Sequence, residues 1–352
     1  MPPLDKQTRH FLAWALIAGL ATVAFLLWMI VAIGGPRLTD GVDDVGELVA
    51  ALAAVFACCV AAVRVSSGRS CWVLLGASAF AWAAGEAAWT YYDLILGVQV
   101  PFPSFADVGF LSAVPLAVAG LLLFPSSPQR AADRVLGILD GCIIAGSILF
   151  ASWATVLGPL YDAHHGGVLK QILSLAYPAS DVVMVSLVII LFARAGQRGR
   201  ASLVLVMAGI VAFAVADSAF SYLTEVNNYG IGSFLDTGWV AGYLLIGLGA
   251  LRAVYAPSTE AAELRVTTLS LLAPYVPVLA VLAVTSVELL LGRRLGGVDW
   301  LMVLALTLLV LGRHVLNLWE RAALRRLGDS GEGYDESVPV TETDADPVLL
   351  GG

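Results

Sequence analysis

FLAWALIAGLATVAFLLWMIVAI, residues 11–33, runs without a charged side chain and without the apolar–polar alternation of a half-buried strand. At about 1.5 Å per residue, a helix over this stretch reaches across a hydrocarbon core of roughly 30 Å. In lipid the backbone must satisfy its own polar groups. Helices and closed barrels do so, and an unbroken apolar run selects the helix. The stretch follows a short basic segment holding Lys6 and Arg9. It is too long for a signal-peptide core and ends in Gly34-Gly35-Pro36 with no A-x-A-type cleavage site, so it reads as a retained first span.

Outward from this stretch the same pattern recurs. Spans are expected at 11–33, 44–64, 71–94, 106–124, 134–157, 173–194, 201–224, 235–255, 268–291 and 299–318. Composition agrees: the chain is 59% hydrophobic and only 13% charged, with mean hydropathy +0.87, whereas soluble domains carry about 25% charged residues. The fold expected is an all-α, polytopic membrane bundle of about ten transmembrane helices, built from five helical hairpins. Cys58, Cys59, Cys71 and Cys142 lie in or beside apolar segments and suggest no disulfide framework.

Basic residues set the orientation. With the N-terminus inside, Lys6, Arg9, Arg64, Arg69, Arg130, Arg134, Arg194, Arg198, Arg200, Arg252, Arg265, Arg313, Arg321, Arg325 and Arg326 are all cytoplasmic. The exceptions among the 19 Lys and Arg residues are Arg37, Lys170, Arg293 and Arg294. An even span count, with both ends in the cytoplasm of a multi-pass plasma-membrane protein, preserves the alternation. Residues 168–179 (VLKQILSLAYPA) read either as a re-entrant or interfacial helix or as part of the sixth span, with Pro178 marking a kink or break. Residues 328–352, rich in Asp and Glu, read as a disordered acidic cytoplasmic tail.

An aspartate opens each even-numbered span in this scheme: Asp44, Asp107, Asp181, Asp236 and Asp299. Their spacing is roughly that of one hairpin with its loops, and Asp44-Val45-Gly46 repeats as Asp107-Val108-Gly109. Glu86 before Tyr91 echoes Asp217 before Tyr222. Helix capping, worth about 0.3–1 kcal/mol, suffices for Asp44 and Asp299. It does not suffice for Glu86, Asp181 and Asp217, because an acid near a helix centre costs roughly 2.5–3.5 kcal/mol on insertion scales. These three must face the bundle interior. Tyr91, Tyr92, Tyr177, Tyr222, Ser104, Ser180 and Ser218 lie at similar depth as hydroxyl partners. Two readings stay open: structural hydrogen-bonded acids, or a ligand or proton site.

The run WAAGEAAWTYYDLILGVQVPFPSFADVGFLSAVPLAVAGLLLF (82–124) resembles the multi-span membrane domain at the N-terminus of actinobacterial GGDEF/EAL proteins, which make or degrade cyclic di-GMP. Residues 139–160, 175–195 and 215–251 continue the resemblance. It implies a membrane sensory module and carries over Glu86, Trp89, Tyr92, Pro103, Ser104, Asp107, Asp140, Pro178, Asp181, Asp217, Asp236 and Trp239 as module residues. No GGDEF or EAL domain follows the last span, so cyclic di-GMP turnover is not expected, and no catalytic residue is assigned.

The ligand-binding candidates are Glu86, Tyr92, Ser104, Asp107, Tyr177, Asp181, Asp217, Tyr222, Asp236 and Trp239. Together they suggest an acidic, aromatic-lined cavity, open to the outside, for a cation, an amine or a lipid headgroup. His164-His165 with Asp162 makes a poor metal set, because adjacent histidines diverge on regular backbone. No metal or cofactor is expected. Gly238-Trp239-Val240-Ala241-Gly242 reads as close helix packing. Residues 313–327 form a basic amphipathic juxtamembrane helix, read as a lipid anchor with a cytoplasmic signalling partner as the alternative. Nothing points to nucleic acid. The function expected is a non-enzymatic membrane sensor, with a secondary transporter or channel as the rival.

Overall fold

The computed structural model describes residues 5–125, 131–162, 167–194, 197–225, 233–255, 275–290 and 296–331, and among them it contains helices, turns and no strand. The helices are α1 (Lys6–Val31), α2 (Pro36–Arg64), α3 (Arg69–Thr90), α4 (Phe105–Leu122), α5 (Ala131–Ser152), α6 (Gly158–Asp162), α7 (Val168–Arg194), α8 (Gln197–Glu225), α9 (Thr237–Tyr255), α10 (Tyr275–Leu290) and α11 (Gly297–Gly331). Short π segments extend α3 over Tyr91–Ile95 and α5 over Trp153–Leu157.

Nine helices among the described residues are long and apolar enough to cross a membrane. They coincide with nine of the expected spans. The remaining one, 268–291, lies partly outside the described residues, which include its Tyr275–Leu290 portion as α10. The chain is a multi-pass helical membrane protein. Its surface fits that solvent: Leu16, Leu20 and Ile30 on α1, and Leu301, Leu308 and Trp319 on α11, are each at least 60% exposed. So much apolar area on these two peripheral helices is suited to lipid and not to water.

Local chemistry sets the helix ends. Gly34 and Gly35, at φ 90° and 88°, turn the chain after α1, and Pro36 then occupies the first turn of α2. Ser104 and Asp107 form a reciprocal capping box at the start of α4. One sequence expectation changes here, and one open alternative is decided. α2 begins at Pro36, so Asp44 lies two turns inside the helix and caps nothing. α7 runs unbroken through Pro178 from Val168 to Arg194, so residues 168–179 belong to the same helix and Asp181 lies in its interior. A proline is tolerated where neighbouring helices shelter the freed carbonyl, and Pro178 is fully buried.

Small residues bring the helices together. A Cβ on Gly109 of α4 would lie 2.4 Å from the backbone nitrogen of Gly85 in α3. One on Gly209 of α8 would lie 2.6 Å from the carbonyl oxygen of Gly242 in α9. Each pair is also bridged by a serine: Ser78 Oγ donates to the Ala113 carbonyl at 2.8 Å, and Ser202 Oγ to that of Gly249 at 2.5 Å. Thus α3/α4 and α8/α9 are two similarly built hairpins, and the Gly238–Gly242 word serves close packing on α8. α2 sits between α3 and α9 through buried Ala50, Ala51, Ala54 and Ala57. α1 leans mainly on α9 and less on α2, so the first expected hairpin is not a packed pair.

Two cores result. One gathers Trp82, Tyr243, Phe25 and the α2 alanines; the other gathers Trp72, Leu121, Val188 and Val206. α10 and α11 attach to α5, where Phe150, Val281 and Leu306 meet. α11 is also tied to α5 by charge. Arg313 donates through Nε to Asp140 Oδ1 and through Nη2 to Asp140 Oδ2, the latter at 3.3 Å. This is the planar fork that guanidinium and carboxylate favour.

Candidate functional site

The starts of α2, α4 and α9 and the ends of α3 and α8 meet at one end of the bundle, and most of the intramembrane acids collect there. They form two groups. In the first, Asp107 at the start of α4 is held on three sides. Its Oδ2 accepts from the Ser104 amide at 2.6 Å, and Ser104 Oγ lies 3.3 Å from the same oxygen. Its Oδ1 accepts from the Tyr177 hydroxyl of α7 at 2.5 Å. Asp217 of α8 accepts from Trp239 Nε1 of α9 at 2.6 Å. Its charge acts on both Tyr177 and Asp181, and the buried Oδ2 of Asp181 has no hydrogen-bond donor among the described residues. Ser104, Asp107, Tyr177, Asp181, Asp217 and Trp239 therefore adjoin one another, although the sequence separates them widely.

The second group is built mainly on α2. Asp43, Asp44 and Glu47 are 3%, 3% and 7% exposed, and they face Glu86 of α3 and Asp236 just ahead of α9, at 3% and 0%. Carboxylate oxygens of Asp43, Glu47 and Asp236 lie within 4.8 Å of one another. The π segment at the end of α3 brings Asp93 near enough to act on Asp44, as Asp40 also does from one turn earlier in α2. A single π turn re-aims the side chains that follow it, and such turns recur at functional positions.

Tyr243 of α9 links the groups. It is 6% exposed, packs on Trp82 and Phe213 with ring centroids 4.8 and 5.4 Å apart, and lies within the charge field of Asp217, Glu47 and Glu86.

Of the residues chosen from sequence, Glu86 and Asp236 belong to the second group, and Ser104, Asp107, Tyr177, Asp181, Asp217 and Trp239 to the first. Tyr222 is 53% exposed and faces outward from the bundle, and Tyr92 rests against the exposed Tyr91 ring; neither joins the acids. Tyr222 is five residues beyond Asp217 and Tyr92 six beyond Glu86, each well over a turn further on and on another face of the helix, which is why neither meets its acid. His164 and His165 lie outside the described residues.

Asp43, Asp44, Glu47 and Tyr243 are additions. The signal for the first three is their spacing: Asp40, Asp43/Asp44 and Glu47 recur every three to four residues, one face of a helix. It is hidden when the span is taken to begin at Asp44, which assigns Asp40 and Asp43 to a loop.

No family model, curated protein or solved structure matches the chain.

Proposed function

We propose that the chain is a non-enzymatic membrane sensor. A cationic or amine-bearing ligand is received at the acidic end, on the extracytoplasmic side, and the response leaves through α11 on the cytoplasmic side. The observation that carries the sensor reading is α11 itself. Its 35 residues make a helix of about 52 Å, well beyond a hydrocarbon core of roughly 30 Å. The Arg313–Asp140 fork fastens this long helix to α5, so a shift within the bundle has a rigid path to the basic stretch 313–327 and to a cytoplasmic partner. The ten-span, both-ends-inside topology belongs to the same proposal. It is supported by the basic residues gathered at the end opposite the acids, including Arg69, whose Nε donates to the Ala62 carbonyl.

A secondary carrier is the second reading. It is favoured by the matched construction of α3/α4 and α8/α9, each a glycine-packed, serine-bridged pair with an acid in its first helix, because repeated units around a midplane site suit alternating access.

Reconstitution separates the two. Nitroxide labels at positions 64 and 329 report the distance between the α2 end and the α11 tip while sodium, choline and spermidine are added in turn. The sensor reading expects that distance to change with at least one of them and no accumulation inside vesicles. Accumulation with α11 stationary would favour the carrier, and neither effect would remove both.

A further inference from the structure

We propose that Asp43, Glu47 and Asp236 form a binding site for a hard divalent cation, with Glu86 and Asp44 as its flanking carboxylates. Three observations converge on it. The first is geometry: ligand oxygens from the three residues lie within 4.8 Å of one another. A cation with metal–oxygen distances of about 2.4 Å sets adjacent octahedral oxygens about 3.4 Å apart and opposite ones about 4.8 Å apart, so one ion can span this set.

The second is charge. The groups acting on Glu47 are Glu86, Asp43, Asp236 and Asp44, and those acting on Glu86 are Asp44, Asp43 and Asp236. All are acids. Burying ionised carboxylates is costly unless a positive charge accompanies them.

The third observation is a pair of buried polar atoms that adjoin the three ligands. Asp44 is 97% buried by its 3% exposure, its Oδ2 has no hydrogen-bond donor among the described residues, and it lies near enough to Glu86 and Glu47 for its charge to act on both. One residue beyond Asp236, the buried Thr237 hydroxyl likewise has no hydrogen-bond partner among the described residues. Polar atoms left so are rare in a packed interior and point to a missing ligand.

The donor set defines the class of ion. All the ligands are carboxylate oxygens, with no imidazole or thiolate, which suits Mg²⁺, Ca²⁺ or Mn²⁺ and not a thiolate-seeking metal. Two elements would converge on the ion, α2 through Asp43 and Glu47 and the α9 entrance through Asp236, with Glu86 of α3 flanking it. The ion would therefore fasten α2 to α9. Metal binding in detergent is independent of any motion of α11, so this site and the sensor reading can each fail without the other.

The test uses the full chain purified in detergent and titrated with Mn²⁺ alone, free ion being read by electron paramagnetic resonance, with Mg²⁺, Ca²⁺ and Na⁺ as competitors. Saturable binding of one Mn²⁺, displaced by Mg²⁺ or Ca²⁺ but not by Na⁺, is expected. Glu47→Gln should weaken it more than about tenfold, whereas Asp299→Asn, at the start of α11, should leave it unchanged. A second measurement needs no variant. Dicyclohexylcarbodiimide modification of the wild-type chain, read by mass spectrometry, should fall in the peptide carrying Asp43 and Glu47 when Mn²⁺ is present. No saturable Mn²⁺ binding would overturn the proposal, as would displacement by Na⁺, full affinity in a folded Glu47→Gln variant, or modification indifferent to Mn²⁺. In that case protons alone balance the cluster.

Discussion

Tyr177 shows how a single hydroxyl settles a buried acid. It donates to Asp107 from another helix, while Ser104 satisfies the other carboxylate oxygen from within α4's own cap. Tyr177→Phe leaves Asp107 Oδ1 short of a donor in a half-dry site, and the cost expected is about 1–3 kcal/mol. Thermal unfolding in detergent should show it as a lowered Tm. Tyr222→Phe, on an exposed ring, should leave Tm unchanged; equal effects would refute the assignment. Individual acids such as Glu86 and Asp217 were legible in the sequence, because a charge deep in an apolar run must be sheltered. Their partners were only partly so. Tyr177 and Trp239 approach their acids from other helices, and no spacing along the chain encodes that. Asp43 and Glu47 were hidden for a different reason: helix α2 starts two turns earlier than its apolar run does.

At the scale of helices, contact among the described residues is governed by glycine and by the Arg313–Asp140 ion pair. Gly109→Ala would push a methyl into the backbone of Gly85, and overpacking of this kind costs about 1–3 kcal/mol. Gly312→Ala meets nothing within 4 Å and should gain about 0.5–1 kcal/mol from helix propensity. Opposite shifts in Tm are therefore expected from the same chemical change. The Arg313–Asp140 fork, whose side chains are 12% and 27% exposed, should behave as a sheltered pair. Asp140→Asn is expected to lower Tm by removing the charged half of the fork, and combining it with Arg313→Gln should give a loss smaller than the sum of the two single variants. Additive losses in the double variant would show that the pair is not an energetic unit. Spans were the most legible feature of the sequence, since length and apolarity decide them. Neighbours were less so: nothing in the apolar run of α1 says that it leans on α9, because lipid and a helix face present similar surfaces to it.

For the whole molecule, the account rests on lipid as the solvent and on the proposed orientation, in which the end of the bundle where the acids gather faces out of the cell. Composition and the distribution of Lys and Arg already carried that reading, whereas the closing of α2, α3 and α9 around five carboxylates required the fold. The most direct test is labelling of intact cells with a membrane-impermeant maleimide, in a background with Cys58, Cys59, Cys71 and Cys142 replaced. Single cysteines would be placed at the exposed Gln99, between α3 and α4 on the acidic end, and at the exposed Ser67, between α2 and α3 on the opposite end. Labelling of Gln99→Cys in intact cells, with Ser67→Cys labelled only after the membrane is opened, is the predicted result. The reverse pattern, or labelling of both in intact cells, would contradict it.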